Sequence, residues 1–176
     1  MGIKLFVTFT FLLSLGFYFV PISNNINSED KKDIPLIVFD SPKMYTLNEE
    51  NLTKIVLAKK AIRYANRDEM FQGDITLKNE NKNQDYTLEN INAEFIVSQG
   101  DILTFKDNVN YRRDGFVNLK TQELYYNTKE QIAYNSVKYR GWYYDNYVVG
   151  TNLYVDSVNK IIRSKNSHFE IDIENN

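Results

Sequence analysis

The chain has 176 residues, with 21 Lys and Arg against 23 Asp and Glu for a net charge of −2, no cysteine, and a single histidine, His168. That length holds one ordinary domain with an appendage, and the balanced charge gives no reason to expect nucleic acid as a partner. Without cysteine there is no thiol catalysis, disulfide framework, iron–sulfur ligation or lipid-modified N-terminal cysteine, and one histidine cannot build a histidine-based metal site or a Ser-His-Asp triad. No enzymatic activity, metal or cofactor is expected.

The N-terminus carries the first strong signal. After Met1-Gly2-Ile3-Lys4, residues Leu5 to Ile22 hold 13 apolar side chains among 18 and no charge. Eighteen helical residues rise about 27 Å, close to the ~30 Å hydrocarbon thickness of a bilayer. Ser14-Leu15-Gly16 is the one signal-peptidase-like site, and it would cut inside the apolar run. Residues 1–22 therefore read as an uncleaved single-pass anchor that ends at Pro21. Lys4 at one end, with mixed charge after Ile22, places the N-terminus inside and the bulk of the protein outside. Ser23 to Asp33 is a polar tether without hydrophobic periodicity.

From Ile34 to the end, residues 34–176, the texture is β. Apolar residues alternate with polar ones in Ile75-Thr-Leu77, Phe95-Ile-Val97, Val109-Asn-Tyr111, Val117-Asn-Leu119 and Phe169-Glu-Ile171-Asp-Ile173, and Asn, Asp and Gly punctuate the runs. Glu49 to Asn66 has a loose helical spacing, but in this setting it reads as strand–turn–strand. An internal repeat is visible when Val56, Leu88, Leu119 and Val148 are placed in register. Ala61, Ala93, Leu124 and Leu153 then follow five residues later, with Met70, Ile102, Ile132 and Ile161 beyond them. The two later copies match best and predict hairpin turns near Asn127-Thr128-Lys129 and Asp156-Ser157-Val158. Such a unit cannot bury its apolar face alone, so copies must stack.

An N-terminal anchor, a polar tether and an array of roughly 30-residue β repeats resembles the LptC family of the lipopolysaccharide export machinery. Phe71-Gln-Gly73-Asp-Ile75, Leu119-x-Thr121-x-x-Leu124-x-Tyr126 followed by Ser136, and Gly150-x-x-Leu153-x-x-Asp156 are similar to its strand start, middle repeat and late repeat. The resemblance implies an all-β fold, a β-jellyroll of stacked antiparallel hairpins, held at the inner membrane by one transmembrane helix with its C-terminal domain in the periplasm. It implies a domain that receives lipopolysaccharide from the LptB, LptF and LptG transporter and passes it to LptA through an apolar groove. Phe95, Phe105, Leu119, Leu124, Tyr126, Ile132, Leu153 and Val155 are expected to line that groove, and Gly73 and Gly150 to be structural glycines. The C-terminal edge, with Phe169, Ile171 and Ile173, is expected to meet LptA by strand addition, and the N-terminal edge, with Ile37 and Phe39, to meet LptF.

Other readings stay beside this one. The same chain suits a membrane-anchored β-repeat module with a structural or adhesive role and no lipid cargo. Lys138-Tyr-Arg140-Gly-Trp142-Tyr143-Tyr144 reads as a β-turn packed by aromatics, with sugar stacking and phosphate contact through Arg140 as the alternative. Arg112-Arg113 reads as a solvated strand end, and Glu49-x-Asn51-x-Thr53 fits an acidic glycosylation sequon.

Overall fold

The computed structural model describes residues 34–48, 52–79 and 87–171. The predicted anchor and tether, residues 80–86, Asn51 and Ile173 lie outside them. The described residues are all-β, in one antiparallel sheet of twelve strands. Four short strands come first: β1 (Ile37–Asp40), β2 (Lys43–Leu47), β3 (Leu52–Leu57) and β4 (Lys60–Arg63). Glu49 to Asn66 thus contains two strands, as its β-branched content predicts. Long strands follow: β5 (Asp68–Lys78), β6 (Leu88–Gln99), β7 (Ile102–Arg113) and β8 (Val117–Asn127). β9 (Ile132–Tyr134), β10 (Lys138–Tyr143), β11 (Asn146–Asp156) and β12 (Ile161–Glu170) complete the sheet. The hairpin turns expected near Asn127 and Asp156 close β8 onto β9 and β11 onto β12.

A transverse crease divides the sheet. Along it lie left-handed residues within or beside strands: Ser41, Gln72, Asp107, Asn108, Asn152 and Asn166, with φ between 49° and 61°. Four of the six are Asn or Asp, which tolerate this conformation best. The ladder is broken or shifted at the same level, between Asn92 and Phe95, Lys106 and Val109, and Thr151 and Tyr154. β1 and β2, β3 and β4, and β9 and β10 are separate strands because their chains break there. Each crossing swaps the face a side chain points to, so apolar residues face inward on both sides and the two halves form facing layers, consistent with the expected jellyroll.

Cross-strand register gives the inward rows. In the first layer, Phe39, Ala61, Met70, Ile96, Phe105 and Leu124 oppose one another in sequence. In the second, the row is Met44, Val56, Ile75, Ile91, Tyr111, Leu119, Gly141, Val148 and Phe169. Both rows feed one core, in which Ile96 is fully buried and Phe105 and Val109 nearly so.

These rows correct the repeat. The five-residue step across the crease runs Val56 to Ala61, Ile91 to Ile96, Leu119 to Leu124 and Val148 to Leu153. The second copy is therefore anchored on Ile91 and Ile96, three residues beyond Leu88 and Ala93. Ala93 instead aligns with Thr121 and Gly150 as the small residue at the crease; all three are buried. An alternating sequence slides against itself easily, and only the bulge selects the register.

Candidate functional site

The candidate site is the interior between the layers. Six of the eight expected groove residues face it: Phe105 and Leu124 in the first row, Leu119 in the second, Leu153 beside Asn135, and Tyr126 and Val155 in a row farther from the crease. Phe105, Leu124 and Leu153 are buried, while Leu119, Tyr126 and Val155 are half-buried.

Phe95 and Ile132 point the other way. Phe95 opposes Phe71 and Lys106, and Lys106 opposes Glu123, so all four lie on the outer face, where the Phe71 and Phe95 ring centroids are 5.0 Å apart. The reason is the crease: Phe95 precedes Ile96, and only Ile96 continues the inward row. Ile132 opposes Asn127 and Asp156, while its neighbour Ala133 opposes the inward Tyr126 and Val155.

The two glycines admit close approach rather than unusual turns. A Cβ on Gly73 would sit 2.5 Å from Ile96 Cδ1, so its absence lets Ile96 lie across the crease. A Cβ on Gly150 would meet Ser164 Oγ at 2.5 Å and the Tyr139 ring at 3.0 Å. That space lets the Tyr139 hydroxyl cross β11 and donate to Ser164 Oγ at 2.8 Å.

Polar groups rim the apolar interior. On the second layer Arg113 and Glu89 oppose each other and face inward. Arg113 Nε donates to Glu89 Oε1 at 2.8 Å, and the Tyr111 hydroxyl donates to the same oxygen at 3.0 Å. Arg113 is thus no solvated strand end, whereas Arg112 is exposed on the outer face. Burial, then the Glu89 charge, pushes the Tyr111 hydroxyl's pKa up. Burial, then the Glu89 charge, raises Tyr126 as well, on the opposite layer. On the first layer's lip Arg63 and Asp68 pair at 2.7 Å. Apolar walls with charged lips suit an amphiphile, with its chains inside and its polar part at the rim.

The interior is uncovered at both ends of the sheet. Phe39 and Met44 begin the inward rows at one edge and are 52% and 58% exposed. At the other edge Phe169 ends the second row and Ile162, opposite Val155, ends the row farther from the crease; they are 63% and 73% exposed. β1 pairs only with β4, β2 only with β3 and β12 only with β11, which leaves the outer backbone edge of each without a partner strand among the described residues. Ile37 and Phe39 lie on β1 and Phe169 on β12, while Ile171 follows the last strand residue.

A creased antiparallel sheet with an apolar interior, polar lips and uncovered ends is consistent with the jellyroll class of β fold. Residues 4–141 match the family model for lipopolysaccharide-assembly, LptC-related proteins, and the chain belongs to that family. Membership places it in lipopolysaccharide transport, in a carrier family of the cell envelope. No curated protein matches the chain.

Proposed function

We propose that this chain is a membrane-anchored lipopolysaccharide carrier, which takes the lipid from the LptB, LptF and LptG transporter and hands it to LptA. Residues 1–22 hold it in the inner membrane, 23–33 give it reach, and residues 34–176 stand in the periplasm. Acyl chains lie along Phe105, Leu119, Leu124, Tyr126, Leu153 and Val155. Each methylene shielded from water contributes about 0.8 kcal/mol, so a continuous groove can hold a multi-chain lipid without covalent chemistry. A uniform groove has no direction, and the energy for forward transfer comes from upstream. The β1–β2 edge pairs with LptF and the β12 edge with LptA, because unpaired N–H and C=O rows accept a further strand and join one groove to the next.

The observation that carries this reading is the uninterrupted inward row from Met44 to Phe169, apolar at nearly every position and exposed at both ends. The test is photo-crosslinking in cells. A photoreactive residue at Leu119 or Tyr126 should capture lipopolysaccharide, while one at Phe95 or Glu123, on the outer face, should not. Equal capture at all four positions would sink the groove.

A further inference from the structure

The outer face of the second layer concentrates positive charge in a chain whose net charge is −2. Lys120 and Arg140 stand directly opposite each other on β8 and β10, and Arg112 stands diagonal to Lys120 on β7. One row nearer the crease, Lys138 and Lys165 flank Thr151 on the same face. All five are exposed, and among the described residues none has a carboxylate within ion-pair distance. Like charges directly opposite destabilise a sheet, so packing alone does not account for this arrangement.

The uncharged groups of the face have their own chemistry. Trp142 lies in the row next to Arg140 with its ring centroid 5.2 Å from that of Tyr147, and Lys120 Nζ lies 5.7 Å from the Trp142 ring. Asn110 and Asn118 stand in the same two rows, each with its amide oxygen buried and without a hydrogen-bond partner. Arg112 to Arg140 spans two strand spacings and a two-residue offset along the strands, about 12 Å. Aromatic rings beside amide donors receive sugar rings and hydroxyls, and a fork of guanidinium and ammonium groups receives phosphate or carboxylate. A bilayer surface would instead call for apolar side chains that insert, and the exposed centre of this face offers cations.

We propose that the outer face of β7, β8 and β10, built on Arg112, Lys120, Arg140 and Trp142, is a binding site for an anionic, phosphate-bearing oligosaccharide. The site lies on the opposite side of the layer from the groove and needs no acyl chain, so it would hold even if the groove carried nothing.

Trp142 is the only tryptophan, so its emission reports on this face alone. The full chain in zwitterionic micelles is titrated with fully deacylated, phosphorylated lipopolysaccharide saccharide. The expected result is a saturable change in emission that weakens as salt rises. Lys120→Gln with Arg140→Gln should weaken binding at least about tenfold, from the loss of two charge-assisted contacts, without lowering the melting temperature. The same saccharide stripped of phosphate should bind no better than glucose. Absence of a saturable change, equal affinity in the double variant, or equal affinity for poly-glutamate or for phosphatidylglycerol vesicles would overturn the proposal. Failure of lipid capture at Leu119 and Tyr126 would leave it standing.

Discussion

Asn135 Nδ2 donates to Thr121 Oγ1 at 3.0 Å, and both residues are almost wholly buried at the crease. Asn135 lies in the break between β9 and β10, where its backbone N–H still donates to the Leu153 carbonyl at 2.9 Å. Its side chain supplies the other half of that pair: Asn135 Oδ1 accepts from the Leu153 N–H at 2.9 Å, and Thr121 Oγ1 donates to the Lys138 carbonyl at 3.0 Å. One buried amide thus ties β8 to β11 where the chain changes layers.

Removing that amide leaves a buried N–H and a buried hydroxyl short of partners. Asn135→Ala should destabilise the domain by about 1–3 kcal/mol, read from the urea midpoint, whereas Thr121→Ser should cost less because it keeps the oxygen. Equal losses from both would mean the hydrogen bonds are not what Asn135 contributes.

Gly73 and Ile96 offer a test of the crease packing. Gly73→Ala should cost about 1–3 kcal/mol by overpacking against Ile96 Cδ1. Ile96→Val removes that methyl and alone should cost about 0.5–1.5 kcal/mol. In the double variant the two losses should fall short of their sum, since the atom that clashes is gone. Strict additivity would refute the contact.

Glu89 and Arg113 face the interior between the layers as a half-buried pair. Arg113→Met strands the carboxylate among apolar walls, while Glu89→Gln keeps a neutral acceptor for Tyr111. The first should therefore lower the melting temperature more than the second, and Glu89→Leu with Arg113→Met should recover part of the loss. Calorimetric scans of the three variants give the order.

Acid should weaken the fold. The Asp68 carboxyl is held below its ordinary range by the hydrogen bond from Arg63, and Asp156 by hydrogen bonds from Asn159. Folded-state values below the unfolded ones mean that this stabilisation is present above the unfolded carboxylate range and is lost as pH falls through the folded values. Denaturation midpoints should fall between pH 5 and pH 2, by less in Asp156→Asn, and an unchanged slope in that variant would remove Asp156 from the account.

The edge of β12 is tested by truncation. Removing residues 167–176 takes away the half of the strand that covers Tyr147 to Val149 and leaves the Ile161–Lys165 half paired to β11. Capture of LptA should be lost and association with the transporter retained, with circular dichroism confirming the remaining sheet. Normal LptA binding by the truncated chain would make strand addition at this edge the wrong mechanism.

Local chemistry made much of this legible in advance. β-branched and aromatic alternation, turn residues at Asn127 and Asp156, and the motif Leu119-x-Thr121-x-x-Leu124-x-Tyr126 depend on neighbours in the chain, and each predicted its strand or turn correctly. The inward faces of Leu119, Leu124 and Tyr126 were legible because that motif already contains the three-residue step across the crease. Phe95 was not: strict alternation reads straight through a bulge, and Phe-Ile-Val offers two equally apolar choices of face. Asp107-Asn108, two left-handed formers in the middle of a strand, was the one local hint that the alternation would break. The inward turn of Arg113 toward Glu89, separated by 24 residues, and the gathering of Lys120, Arg140 and Arg112 on one surface depend on which strands become neighbours. That is decided by the register of the whole sheet, in which a one-residue shift on one strand reverses every face beyond it.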